Sequence, residues 1–461
     1  MTGIPFIVVF ILLIVAMVLA ISKFKIHPFL AIMGIATLLG LVAGIPLVPG
    51  TGVPSIAQEI GTGFSGIFTG IGIVIIFGAL IGAVLEITGG AFKLADVVVK
   101  VIGKRFPTLA IMIMGWIVSI PVFCDSGFVI LNPVRKAIVK RTGTSAVATT
   151  IGLSTGLFAS HVLVPLTPGP LAAADILGLE HNLILLFGVS SLVSIPALMG
   201  AYAYAIWIGK RVQSQEDLDI ANDDTIQTYE ELVKSYGKLP SGFMAFMPIG
   251  LPIILMALGS VASLTMTLGE PLHDLLVFLG TPIFALAAGF FFSLILLAQA
   301  GEMSQFTKMT DNTLKTVGPI LFITAAGGVL GRMIQASDMV NFIQSNYSVF
   351  VPMGIFLPFI ISAILKSAQG SSTVAIIATA NIMVPIMAAM GFGSEMGIAL
   401  VILAIGAGAM VVSHANDSYF WVVTNLGNMT PQQGYKTQTV ATLIQGLCCM
   451  IGIFVLSLIF V

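Results

Sequence analysis

The chain has 461 residues, of which 57% are hydrophobic and 8% charged, and its formal net charge is −1. Soluble domains carry about 25% charged residues, so that class is excluded, and a balance so near neutrality offers nothing to nucleic acid. Apolar segments of about 18 or more residues recur from end to end, which predicts an all-α polytopic membrane protein lying in a lipid bilayer; a transmembrane β-barrel would show short alternating segments instead.

The first apolar run, Ile4 to Ile21, is followed by Lys23 and Lys25 and reads as a retained span rather than a signal peptide. Further first-half spans are expected at about 28–48, 64–88, 146–180 and 184–208. The second half has them at about 242–262, 275–299, 317–334, 396–423 and 437–461. Between the halves lies the long hydrophilic stretch Gly209 to Leu239, with Glu216, Asp217, Asp219, Asp223, Asp224, Glu230 and Glu231. It reads as a solvated, partly helical linker. The expected division is therefore 1–208, a linker at 209–240, and 241–461.

Two apolar segments do not fit as spans. Pro107 to Val139 is interrupted at Cys124-Asp125-Ser126-Gly127, and Pro352 to Met387 at Gln369-Gly370-Ser371-Ser372-Thr373. Arms of about 14–17 residues make roughly 21–25 Å of helix, short of the ~30 Å hydrocarbon layer. Re-entrant helix–turn–helix hairpins, at about 107–139 and 352–387, fit better. Non-helical backbone at that depth must be buried in protein or face water. The spans at 146–180 and 396–423 carry polar islands of their own: Ser160-His161 running to Thr167-Pro168-Gly169-Pro170, and Ser413-His414-Ala415-Asn416-Asp417-Ser418. Both read as broken helices. Two prolines without N–H donors and a permissive glycine cannot continue the first.

Basic residues set the expected orientation. With Lys23 and Lys25 cytoplasmic, the N-terminus is periplasmic and the central linker cytoplasmic. All of the 19 Lys and Arg except Arg332 and Lys366 then fall on the cytoplasmic side. Lys93 to Arg105 reads as an interfacial helix on that side. The halves also match in order at shifts of roughly 250 positions. Gly78-Ala79-Leu80-Ile81-Gly82 pairs with Gly327-Gly328-Val329-Leu330-Gly331, Glu86 with Gln335, Asp125-Ser126-Gly127 with Ser371-Ser372-Thr373, and Ser160-His161 with Ser413-His414. Five crossings per half make this an inverted repeat, an architecture common in secondary transporters.

Polar groups are costly in hydrocarbon, so these islands are the candidate site. Hairpin tips and helix breaks offer backbone N–H groups and positive helix starts to an anion. Asp125, Ser126, Gly127, Thr167, Gly169, Gln369, Gly370, Ser371, Ser372, Thr373, Asn416 and Ser418 are the binding candidates, together with His161, His414 and Asp417. Buried carboxylates and histidines are also candidate proton carriers: Asp125, Asp417, His161, His414 and, near a span end, Glu86. Lys366 either attracts a substrate carboxylate or pairs with Asp125 or Asp417. No catalytic residue, metal site or cofactor is expected. Cys124, Cys448 and Cys449 have neither disulfide nor metal-ligand spacing, and no nucleotide loop is present.

Four stretches carry a resemblance: Phe123-Cys124-Asp125-Ser126-Gly127-Phe128, His161 to Pro170, Gln369-Gly370-Ser371-Ser372-Thr373-Val374-Ala375 and Asp417-Ser418-Tyr419-Phe420-Trp421. In these the chain resembles the gluconate permease family of proton symporters, within the ion-transporter superfamily. The likeness covers essentially the whole chain. It implies import of gluconate or a related sugar or small hydroxy acid with a proton, across the bacterial inner membrane. It also implies a homodimer, with an elevator-like transport domain of two hairpins and two broken helices. The rival readings are the same fold coupled to sodium, a membrane-embedded enzyme built on Ser, His and Asp, and a channel. The enzyme reading lacks a nucleophile motif and leaves the repeat unexplained, and paired closed hairpins argue against the channel.

Overall fold

The computed structural model describes residues 4–50, 53–94, 96, 106–219, 239–265, 271–337, 353–388, 390–414 and 417–461. The named elements among them are helical. In the first half they are α1 (Ile4–Ser22), α2 (Pro28–Ala43), α3 (Ile56–Ile67), α4 (Ile73–Ile87), α5 (Pro107–Val118), α6 (Cys124–Thr142), α7 (Ala146–Leu163), α8 (Pro168–Leu177) and α9 (Leu183–Gly209). A short α10 (Gln215–Asp219) follows. The second half comprises α11 (Gly242–Thr265), α12 (Pro271–Gly280), α13 (Pro282–Gln299), α14 (Phe306–Gln335), α15 (Phe356–Gln369), α16 (Ser372–Met387), α17 (Glu395–Met410), α18 (Ser418–Leu426), α19 (Pro431–Gly434) and α20 (Val440–Phe460). Six helical segments among the described residues are long and apolar enough to cross a membrane.

At the centre lies α7, every residue of which is buried. It packs against α5, α6 and α9, while α17 packs against α15 and α20. Glycines set the closest approaches. A Cβ at Gly156 would collide with the Met112 carbonyl of α5, and one at Gly408 with the Phe359 carbonyl of α15. On another side α14 packs along α2 and α3. Gly63 and Gly328 bring the α3 and α14 backbones together there, and Arg332 Nε donates to Glu59 Oε2 at 2.7 Å.

Several boundaries differ from the sequence expectation for identifiable reasons. The turn of the first helix–turn–helix lies at 119–123, and Cys124-Asp125-Ser126-Gly127 form the first helical turn of α6 instead. Pro121 lies in that turn, which Ser119 closes by donating from Oγ to the Val122 carbonyl at 2.8 Å. The second turn is only Gly370-Ser371: Gly370 takes φ +90°, which favours glycine, and the Ser371 side chain caps α16. The expected span 275–299 is two helices, because Thr281, held extended before Pro282, separates α12 from α13. The expected 64–88 span starts at a Ser55–Gln58 capping box and runs through a π turn at Phe68–Gly72. The helix expected at 317–334 begins at Phe306 and carries Pro319 inside it.

The start of the linker is not solvated. Glu216 is buried, and its Oε2 lies 2.6 Å from Nη2 of the fully buried Arg135. Asp217 Oδ1 accepts from Ala146 N at 2.6 Å, capping the start of α7. The interfacial helix expected at Lys93–Arg105 falls mostly outside the described residues, as does the linker from 220 to 238.

The two helix breaks are built differently. Between α7 and α8, Pro168 and Pro170 sit in the first turn of the new helix, where their missing N–H groups are harmless. Thr167 Oγ1 bonds the carbonyls of His161 (2.7 Å) and Val164 (2.9 Å), which the break leaves without helical partners. Between α17 and α18 there is no proline. Val412, a β-branched residue, is held at φ +60°, a conformation costing about 1–3 kcal/mol. The replacement bonds come from the neighbouring helix: Ser413 N donates to Thr442 Oγ1 (3.1 Å), and Thr439 Oγ1 donates to the Ser413 carbonyl (2.6 Å).

Candidate functional site

Helices α6, α16 and α18 all begin at one cavity of about 440 Å³. The start of α6 brings Phe123, Cys124 and Asp125; the second turn and α16 bring Gly370 to Val374; the second break brings Asp417, Ser418 and Tyr419. Phe158 and His161 of α7 and Thr316 and Ile323 of α14 complete the wall. Amides in the first turn of a helix have no acceptor within that helix, and the helix start carries a partial positive charge. Three such starts surround one cavity whose described lining contains no lysine or arginine; Asp417 Oδ1 takes the Tyr419 amide at one of them and Ser371 Oγ the Val374 amide at another. Serine and threonine hydroxyls stand beside them, and Phe123, Phe158 and Ile323 give apolar surface.

The two aspartates of the wall have different surroundings. Asp417 is saturated. Its Oδ1 accepts from Tyr419 N (3.0 Å), and its Oδ2 accepts from Ser413 Oγ (2.5 Å) and Lys366 Nζ (2.6 Å). Lys366 also donates to the Gly370 carbonyl at 2.5 Å. The ion pair therefore ties the second turn to the start of α18. Asp125, by contrast, has Oδ1 buried with no hydrogen-bond partner among the described residues, and Oδ2 lies 3.8 Å from the Cys124 thiol. His161 is likewise buried, with Nδ1 unpartnered among the described residues and its ring 6.0 Å from that of Phe123.

Residues 4–459 match the GntP family permease. The chain belongs to this family. It is a transporter, and the enzyme reading is set aside. An uncharacterized permease of Haemophilus influenzae is 32% identical over 436 residues, covering 92% of this chain and 87% of that one. A gluconate permease of Zymomonas mobilis is 30% identical, covering 96% and 95%. The D-serine transporter DsdX of Escherichia coli is 29% identical, covering 97% of each chain. Among solved structures, Neisseria gonorrhoeae MtrF, described as an antimetabolite efflux pump, superposes with a TM-score of 0.64 at 15% identity, covering 96% of this chain and 97% of that one. The Alcanivorax borkumensis YdaH transporter does so at 0.59 and 16%, covering 94% and 97%. These likenesses establish the fold, an all-helical polytopic membrane protein.

In this GntP permease the cavity gathers Asp125, His161, Gly370, Ser371, Ser372, Thr373, Asp417 and Ser418 from the sequence candidates. Others take structural places. Gly127 leaves room for Leu157, and Gly169 for Ile376 and Thr373 of α16. Thr167 seals its break, and His414 Nε2 bonds the Ser367 carbonyl at 3.1 Å. Of the two readings for Lys366, the structure has the pairing with Asp417, and its ammonium is outside the cavity wall. Glu86 lines an adjoining cavity instead. Asn416 and the side chains of Ser126 and Gln369 fall outside the described residues. Sequence reasoning missed Phe123, Cys124, Phe158, Thr316, Ile323, Val374 and Tyr419. Phe123, Cys124, Val374 and Tyr419 lie within the motifs that carry the resemblance. Thr316 lay just beyond the expected start of its helix, and Phe158 and Ile323 look like any other packing residue.

Proposed function

We propose that this permease imports gluconate or a related small hydroxy acid, across the bacterial inner membrane, in symport with a proton. The observation that carries this reading is the pairing of three helix starts with the unpartnered Asp125 carboxylate on a single cavity. The substrate carboxylate lies on the amides and hydroxyls of Ser371, Ser372 and Thr373, and its hydroxyls on Ser418 and Thr316. Ionised Asp125 repels an anion; protonated Asp125 does not, and can donate a hydrogen bond. Proton and acid then favour each other's binding, and the effect is reciprocal. Asp417 is held by Lys366, Ser413 and the Tyr419 amide, which leaves Asp125 the carrier, with His161 in the same wall. The names of the relatives, gluconate permease and D-serine transporter, support a small hydroxylated acid.

The same reading takes the two helix–turn–helix units as re-entrant hairpins and the halves as inverted repeats around a cytoplasmic linker. The hairpins and broken helices move together against α2, α3, α4 and α14 within a homodimer. Thr316 and Ile323 of α14 in the cavity wall support a site lying between two such bodies.

The test is uptake into proteoliposomes. An imposed pH gradient should drive concentrative uptake of labelled gluconate or of another acid from a panel that includes D-serine. Accumulation that follows a sodium gradient alone, or flux that only equilibrates, would overturn the proton-symport reading.

A further inference from the structure

A second cavity of about 290 Å³ adjoins the first, and the two share Phe123 and Thr316 as wall residues. It lies between the end of α4, the turn at 119–123 and the first half of α14. Asn312, Thr313 and Thr316 make a polar strip along α14, and Glu86 is the only ionisable residue in its described lining. The Glu86 side chain is exposed at the wall of this cavity. Lys93, seven positions further along the chain, is engaged with Asp96 at 3.0 Å. The strip lies beside Lys308 and Lys315, at the end of α14 that the expected orientation places in the cytoplasm. The residue matched to Glu86 in the other half is the neutral Gln335.

We propose that the Glu86 cavity is the cytoplasmic release vestibule for the anionic substrate, and that Glu86 is a positioned charge that speeds exit and opposes rebinding from inside. This rests on the reading of the chain as an acid importer with a cytoplasmic linker. A fixed negative charge lowers the local concentration of an anion at the mouth, and water and salt screen it. It cannot alter the final accumulation ratio, which the driving gradient sets. It changes the concentration at which internal acid slows the cycle. Phe123 and Thr316, common to both cavities, form the passage between them.

The experiment uses the full-length protein in inside-out and right-side-out membrane vesicles, with gluconate or whichever acid of the panel the wild type carries. In Glu86→Gln, the cytoplasmic-face KM should fall roughly tenfold at low salt and lose its dependence on ionic strength. Outer-face KM and final accumulation should match wild type, and Glu86→Asp should restore the wild-type cytoplasmic KM. An unchanged cytoplasmic KM in Glu86→Gln at low salt would overturn the proposal. Lost pH-driven accumulation would overturn it too, and make Glu86 a proton carrier. A KM change confined to the outer face would refute the placement of the vestibule. Labelling of a cysteine in the linker then separates a wrong orientation from a wrong role. Failure of the wild type to carry any acid in the panel is a failure of the import reading, seen before any variant is compared.

Discussion

The Lys366 ammonium lies 2.6 Å from Asp417 Oδ2, with both side chains buried and 51 positions apart in the chain. Each neutralises the other, and each also holds backbone: Lys366 the Gly370 carbonyl, Asp417 the Tyr419 amide. The second turn and the second break are thereby fixed to one another at the edge of the cavity. Removing one member of a buried pair leaves an uncompensated charge and costs about 3–5 kcal/mol. Lys366→Met should therefore lower the unfolding midpoint in detergent sharply. Lys366→Met/Asp417→Asn should recover much of the loss, because Asn can still cap α18. Equal destabilisation of single and double variants would deny the coupling.

Arg135 and Glu216 predict that the first residues of the linker belong to the folded body. Arg135 is wholly buried, and besides Glu216 its Nε donates to Asn132 Oδ1 at 2.8 Å. Glu216→Ala leaves its guanidinium without a counter-charge and should cost about 3 kcal/mol or more. Thermal unfolding of the purified variant measures this; a wild-type midpoint would show that the pair contributes nothing.

Gly156 predicts a steric limit at the centre of the molecule. A methyl group there meets the Met112 carbonyl, part of a helix backbone that cannot rotate away. Gly156→Ala should push α5 from α7 and destabilise by about 1–3 kcal/mol. Because α5 leads into the turn before Asp125, uptake should fall along with stability. Gly143→Ala makes the contrast, since a Cβ there meets nothing but the φ of +65° is unfavourable to alanine. It should lower stability and leave substrate affinity unchanged.

The polar islands at 125, 371–373 and 417–418 were legible because a polar group inside a long apolar run needs a reason to be there. The placement of the first turn was not. Cys124-Asp125-Ser126-Gly127 has turn composition, yet Asp, Ser and Gly are also acceptable in the first turn of a helix, and Pro121 ended the preceding arm first. The partner of Lys366 could be narrowed to two carboxylates, but only packing decides which one it reaches. Phe158 and Ile323 in the cavity wall could not be singled out. An aromatic or aliphatic residue that faces a ligand has the same composition and spacing as one that faces another helix. The break at Val412 gave no proline signal, because its stability comes from Thr439 and Thr442 on another helix.

The distribution of lysine and arginine predicts sidedness. Lys210 is exposed at the end of α9, at the entrance to the linker. Lys210→Cys, in a background lacking the three native cysteines, should react with a membrane-impermeant maleimide only in inside-out vesicles. Reaction in right-side-out vesicles would invert the topology, and the Glu86 vestibule would then face the periplasm.

Asp125 yields the prediction that bears most directly on coupling. Its Oδ1 is buried without a partner among the described residues, whereas the Asp417 carboxylate accepts three hydrogen bonds. Ionised Asp125 repels an anion and protonated Asp125 does not, so lowering external pH should raise the affinity of the wild type for the acid. Asp125→Asn is neutral at every pH. It should bind substrate with an affinity that no longer rises as pH falls, and should exchange labelled for unlabelled acid across the membrane. It should not accumulate acid under a pH gradient, because no proton travels with each substrate. Counterflow and pH-driven uptake in the same proteoliposomes separate these steps. Asp417→Asn should instead lose folded protein and binding together, since it leaves Lys366 without its counter-charge. If Asp125→Asn accumulates acid down an imposed pH gradient as the wild type does, Asp125 is not the carrier. His161, buried in the same wall with Nδ1 unpartnered, is then the next residue to test.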